Sequence, residues 1–163
     1  MVPVCFLQGT FICLICENQS KSYVLVEDLR VGDSVACADG TSKKIIFIGK
    51  QVFDLESAPE ARPIAILRGA LGANSPSTDL HLSAWHAVWD GSAWRDAIEL
   101  VNGTTIVEME NAPSIIKYYH IELEEWGAVF ANNAICESYR DQGNRNEFHY
   151  STKIEGSRLL SNM

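Results

Sequence analysis

A chain of 163 residues, 47% of them apolar, is long enough for one domain with a real hydrophobic core. A formal charge of -8 and a pI near 4.9, without a basic patch, exclude nucleic acid and anionic membrane as the main partners. Only 21% of the residues are charged, which excludes extended disorder.

The predicted elements, in chain order, are short strands. Tyr23, Val24, Leu25 and Val26 form a β-rich run. The segment 28–33 turns into Ser34, Val35, Ala36 and Cys37, and Ala38, Asp39 and Gly40 signal a tight turn. Residues 44–49 form a strand ending in Gly49, and residues 62–67 and 80–83 alternate in polarity. Ala87, Val88 and Trp89 lead into Asp90 and Gly91, a hairpin signal. Segments 106–107, 115–121 and 127–130 complete the set. Helical character is confined to residues 96–100, one turn or two, next to an Asn102-Gly103 turn. Residues 71–78 have the composition of a surface loop. Many short strands punctuated by Gly, Pro, Asn and Asp predict an all-β body, a barrel or a sandwich. The expected organisation is a flank at 1–4, a domain at 5–145 and a polar tail at 146–163, either mobile or a docking arm.

Five cysteines, Cys5, Cys13, Cys16, Cys37 and Cys136, form an odd set with no disulfide spacing, so at least one thiol stays free. A reducing, cytoplasmic compartment is expected for this segment. The N-terminus has no basic n-region and its apolar runs are too short to span a bilayer, so neither export nor membrane insertion is expected. Cys13, Leu14, Ile15 and Cys16 make a C-x-x-C spacing without a second ligand pair, so a core strand is expected there rather than a metal. No cofactor is expected.

Four segments hold the residues able to do chemistry: 5–10, 83–86, 119–120 and 131–139. A cysteine near the start with a distant histidine is a candidate nucleophile and base. Taken singly, Cys5 is as readily a small buried hydrophobe, and a lone histidine is more often a satisfied core residue.

The segments together resemble the Hint domain superfamily of inteins and Hedgehog autoprocessing domains, most closely its bacterial branch. That branch carries Cys-Phe-x-x-Gly-Thr-x-Ile, matched here from Cys5 to Ile12. It continues with Val-Glu-x-Leu-x-x-Gly-Asp-x-Val and Asp-Gly, matched by residues 26–35 and by Asp39 and Gly40. Gly-Ala-Leu-Gly and Asp-Leu-x-x-Ser-x-x-His follow, matched at 69–72 and 79–86. Leu-Val-Asn-Gly, Tyr-x-His-x-Glu-Leu and Glu-Ser-Tyr-x-x-x-Gly-Asn-Arg match at 100–103, 118–123 and 137–145.

The resemblance implies a horseshoe-shaped all-β fold that brings both chain ends to one site, and a self-processing activity. Cys5 would attack the Val4–Cys5 peptide bond in an N–S acyl shift, giving a thioester. A free thiol has a pKa of about 8.5, so little of it is thiolate at neutral pH. Imidazole titrates near 6.5 and both accepts and donates a proton, which suits His86 to the leaving amine. Ser83 takes the family's hydroxyl position near the scissile amide. His120 would assist the shift or activate the nucleophile that resolves the thioester. His81 is expected to be an ordinary strand residue and His149 to lie outside the chemistry. The implied partners are an upstream polypeptide as substrate and water, a thiol or an amine as acceptor, acting on a monomer.

Three positions depart from the pattern. Splicing members end in His-Asn before a Cys, Ser or Thr, whereas Glu137 and Ser138 stand here, so N-terminal cleavage without splicing is implied. Trp126 replaces a common histidine, and Cys13 replaces a Thr or similar residue. Cys136, next to Glu137, offers two roles besides packing: a redox disulfide with Cys5, or acceptance of the acyl group. The competing expectations are an active processing domain and a degenerate Hint fold retained as a structural or interaction module. An unrelated β-sandwich binding domain is a third.

Overall fold

The computed structural model describes residues 4–141 and 143, and the backbone of residues 149–150. Its strands are β1 (Phe6–Leu7), β2 (Phe11–Ile15), β3 (Lys21–Leu25), β4 (Ser34–Ala36), β5 (Ser42–Asp54), β6 (Ile64–Ile66) and β7 (Leu80–Leu82). They continue with β8 (Ala87–Trp89), β9 (Trp94–Asp96), β10 (Ile106–Glu108), β11 (Ile115–Leu123), β12 (Val129–Ala131), β13 (Ala134–Cys136) and β14 (His149–Tyr150). Among the described residues, helix is limited to three 3-10 turns, Val26–Asp28, Pro59–Ala61 and Ala97–Leu100. The fold is all-β. Among the described residues, no helix is long and apolar enough to cross a membrane.

The strands hydrogen-bond along the path β10-β6-β7-β1-β11-β5-β4-β2-β12-β13-β8-β9, with β3 on β2 and β14 on β5. The path has two ends, so it does not close into a barrel. Its spine is the antiparallel β5–β11 pair, in register from Ile115↔Asp54 to Ile121↔Ile48 and shifted at Glu122/Leu123 by a bulge. Sequence pattern places a strand at 44–49. The structure extends it to 13 residues, because β4 pairs with Ser42, Lys43 and Lys44 and β11 supplies partners from Ile45 to Asp54.

Two pairings decide where the chain ends go. β1 lies between β11 and β7, with Phe6 opposite both Tyr119 and Leu82. β13 pairs with β8, with Cys136 opposite Val88. Because β7 and β8 flank residues 83–86, the start of the domain and its last strand before Glu137 converge on one turn.

Side-chain period two sorts the long strands between two cores. On β11, Tyr119, Ile121 and Leu123 enter the larger core with Ile12, Val35 and Leu82. Ile116 and Tyr118 point the other way, into a smaller cluster with Cys5, Phe47, Leu55 and Tyr139. His120 shares the parity of Ile116 and Tyr118.

The predicted strand at 127–130 overlaps β12, whereas β13, the second arm of the β12–β13 hairpin, has no counterpart among the predicted strands. Asn132 and Asn133 both take left-handed φ, +45° and +65°, as a two-residue turn between Ala131 and Ala134 requires. Of the expected tail, only His149–Tyr150 falls within the described residues, paired with Lys50 and Gly49. The rest of 146–163 and the flank residues 1–3 lie outside them.

Candidate active site

Cys5 is fully buried and is tied to Ser83 by two hydrogen bonds, one to the hydroxyl and one to the main chain. Its amide N–H donates to Ser83 Oγ at 2.8 Å, and the Ser83 amide donates to the Cys5 carbonyl at 3.0 Å. The nitrogen of the Val4–Cys5 peptide bond is therefore held by a buried hydroxyl 78 positions away in the sequence. Burial pushes the Cys5 thiol well above its ordinary pKa, so its resting form is the neutral thiol.

After β7 the chain turns so that the His86 amide donates to the Ser83 carbonyl at 3.1 Å. The 3-10 turn that follows β9 locks this bend. Ala97 N–H donates to the His86 carbonyl at 3.0 Å and Ile98 N–H to the Ala84 carbonyl at 2.8 Å. That turn is fixed in its own right by a capping box between Asp96 and Glu99.

The His86 ring is fully buried, with Nε2 at 3.1 Å from the Glu137 carbonyl. A carbonyl only accepts, so Nε2 carries the proton and Nδ1 keeps its lone pair. Among the described residues Nδ1 has no well-formed hydrogen bond, although the Cys5 backbone is close enough to act on the ring. Desolvation lowers the His86 pKa to about 4, against weaker upward pulls from the Cys5 and Glu137 backbones and from Asp96. His86 is neutral at physiological pH.

His120 lies 5.0 Å from His86, measured between ring centroids. It is buried, and neither ring nitrogen has a hydrogen-bond partner among the described residues. Desolvation, then the neighbouring His86, holds its pKa well below 6.5. Phe6 contacts both rings, at 4.4 Å from His86 and 5.6 Å from His120, and Tyr139 lies 5.5 Å from His120. The pair sits in a buried aromatic box that favours uncharged imidazole.

Glu137 and Ser138 follow β13. Glu137 Oε1 accepts from Ala87 N–H at 3.0 Å, and its amide donates to the Ala87 carbonyl at 3.1 Å. Ser138 is buried and its Oγ accepts from Gly127 N–H at 3.4 Å. Cys136 belongs to the larger core and Cys5 to the smaller, and all five cysteines are free thiols. The structure thus groups Cys5, Ser83, His86, His120 and the Glu137 backbone, and leaves the Cys136 side chain in the larger core.

The remaining singled-out residues lie apart. His81 is a half-buried residue of β7. Cys13 is buried in β2, whereas Cys16 lies just beyond it and is partly exposed. Trp126 is exposed, with its ring 6.0 Å from Trp94 and the Arg140 guanidinium over it at 5.2 Å. Among the described residues no His, Cys, Asp and Glu side chains cluster to hold a metal.

Two contributors escaped the sequence reading. Phe6 was visible only as part of the Cys-Phe pair, and Asp96, whose charge acts on His86, only as the start of a helical turn.

The model of the Hint domain family matches residues 4–143. A search of curated proteins finds no match. Among solved structures, the chain is similar to the MchDnaB-1 intein and to a variant of it. The variant aligns at 14% identity with a TM-score of 0.48, covering 82% of this chain and 99% of its own. The unmodified intein gives 14%, 0.47, 82% and 99%. The family match runs unbroken through Cys5, the 83–86 turn, His120 and Glu137, which excludes an unrelated β-sandwich: this chain belongs to the Hint domain family.

Proposed function

We propose that this domain cleaves the peptide bond before Cys5 through an N–S acyl shift, without splicing. The observation that carries this reading is the paired bonding of Cys5 and Ser83 beneath His86. Cys5 Sγ attacks the Val4 carbonyl carbon, the S–C bond forms and the C–N bond to Cys5 breaks. The thiol proton passes to His86 Nδ1 and from there to the Cys5 nitrogen, which leaves as a free amine still facing Ser83 Oγ. An imidazole with a pKa of about 4 is a reluctant base but a strong acid once charged, so it delivers the proton to the departing amine readily. The resulting thioester is resolved by water, a thiol or an amine, with His120 as the neutral base that activates the acceptor. Glu137 and Ser138 stand where splicing members place His-Asn, so no side-chain cyclisation follows and the C-terminal bond is not cut.

A second reading, a Hint fold kept as a structural module, draws on the complete burial of the Cys5 thiol, which leaves no ready thiolate. A fusion separates the two. A soluble carrier placed directly before Val4 is incubated at neutral pH with and without dithiothreitol, beside Cys5→Ala. Release that thiol accelerates and Cys5→Ala abolishes supports the acyl shift. A folded fusion that stays intact under every condition establishes the structural module.

A further inference from the structure

Glu137 grips the His86–Ala87 segment at three points. Its carbonyl accepts from His86 Nε2 at 3.1 Å, its amide donates to the Ala87 carbonyl at 3.1 Å, and its carboxylate accepts from the Ala87 amide at 3.0 Å. Only the first bond touches the imidazole, yet it fixes which ring nitrogen is free. If the carbonyl swings away, Nε2 loses its acceptor, the proton can move to Nδ1, and the face toward Cys5 presents a donor where the reaction needs a lone pair.

The direction of that carbonyl is not set by strand pairing alone. β13 ends at Cys136, so Glu137 is the first residue beyond the ladder. The Ala87 carbonyl holds its amide, and the carboxylate bond supplies the second anchor that stops the residue rotating about the first. From the structure we infer that Glu137 is a positioning residue, whose carboxylate bond to Ala87 fixes the tautomer of His86. The inference rests on the acyl-shift reading for its catalytic meaning but not for its structural content.

Charge and hydrogen bonding make different demands here. Burial raises the Glu137 carboxyl, with the Ala87 amide and Arg140 pulling against it. Asp96 faces both Glu137 and His86, and Glu99 faces Asp96. His120 and the Cys5 backbone also face His86. An anchor that works by hydrogen bonding needs an acceptor oxygen, not a negative charge, so glutamine should serve in place of glutamate.

The test compares the parent fusion with Glu137→Ala and Glu137→Gln. Cleavage rates are followed beside two-bond proton–nitrogen spectra of histidine-labelled protein. The parent should show His86 protonated at Nε2. E137A should cleave roughly 10- to 100-fold more slowly, the scale of misplacing a reacting group by up to about 1 Å, and should show an Nδ1–H fraction. E137Q should recover most of that rate and the parent tautomer. A folded E137A with the parent rate and tautomer would overturn the inference, as would E137Q that behaves like E137A. If E137A does not fold, the parent and E137Q spectra decide: Nε2–H in both supports the anchor, and Nδ1–H in either overturns it. A parent fusion that never cleaves removes the acyl-shift reading alone, since the spectra still judge the anchor.

Discussion

Ser83 shows how one hydroxyl carries both structure and chemistry. Its Oγ is the acceptor for the Cys5 amide, in a place sealed from water. Ser83→Ala leaves that N–H without a partner, at a cost of about 1–3 kcal/mol. It also lets the peptide plane before Cys5 shift against His86. Ser83→Ala is expected to lower both thermal stability and fusion cleavage, while Ser83→Thr, which keeps the hydroxyl, retains more of each. Equal cleavage by Ser83→Ala and the parent would remove Ser83 from the site. The importance of this residue was legible in the sequence only through its spacing before His86 and the family pattern. The Cys5 bond itself was not, because it joins residues whose contact is created by β1 slotting beside β7.

At the scale of elements, the β12–β13 hairpin holds down the β2 side of the fold. Asn132 Oδ1 accepts from Phe11 N–H at 2.8 Å, and its Nδ2 donates to the Asp79 carbonyl at 2.9 Å. Its own amide donates to the Phe11 carbonyl and its carbonyl accepts from Ser77 N–H. Asn132→Ala removes two side-chain bonds and places a Cβ-bearing residue without local hydrogen bonds at φ +45°. The expected loss is about 2–3 kcal/mol, roughly 5–10 °C in Tm. Asn132→Gly relieves the backbone part and should fall between Ala and the parent. A thermal melt within 1 °C of the parent for Asn132→Ala would show that the hairpin does not depend on this residue. Two adjacent asparagines flanked by alanines are the sequence signal for such a turn, but a weaker one than Asn-Gly. The strand after it was therefore passed over, whereas the hairpin at Asp90-Gly91 and the turn at 96–100 were found from their local chemistry.

At the scale of the molecule, two neutral histidines buried together couple folding to pH. The folded His86 pKa of about 4 lies below the ordinary 6.5, so the unfolded chain binds more protons between these values. Stability from this source is full above pH 6.5 and is lost as pH falls toward 4. At 1.36 kcal/mol per pH unit, that interval is worth about 3 kcal/mol from His86. His120 adds to it in the same direction. Asp96 and Glu137, whose carboxyls are raised by burial, act with the opposite sign, so the histidine contribution is read as a difference. Denaturant midpoints measured from pH 7.5 to 4.5 should fall more steeply for the parent than for His86→Phe. Parallel curves would mean that the imidazole is not buried neutral in solution.

The sequence by itself determined the strand composition, the local turns and the identity of the residues able to do chemistry. Those properties depend on side-chain type, short-range periodicity and φ preference, and are written within a few neighbouring positions. The family pattern extended this to the set Cys5, Ser83, His86 and His120. Only the tertiary structure decided which of them share a site and in what state. The His86 tautomer depends on a carbonyl 51 positions away. The depressed histidines depend on an aromatic box closed by Phe6 and Tyr139, and the separation of Cys136 from Cys5 on which core each enters. Burial and long-range hydrogen bonding are properties of the closed molecule. Neither exists until β1, β7, β8, β11 and β13 have met.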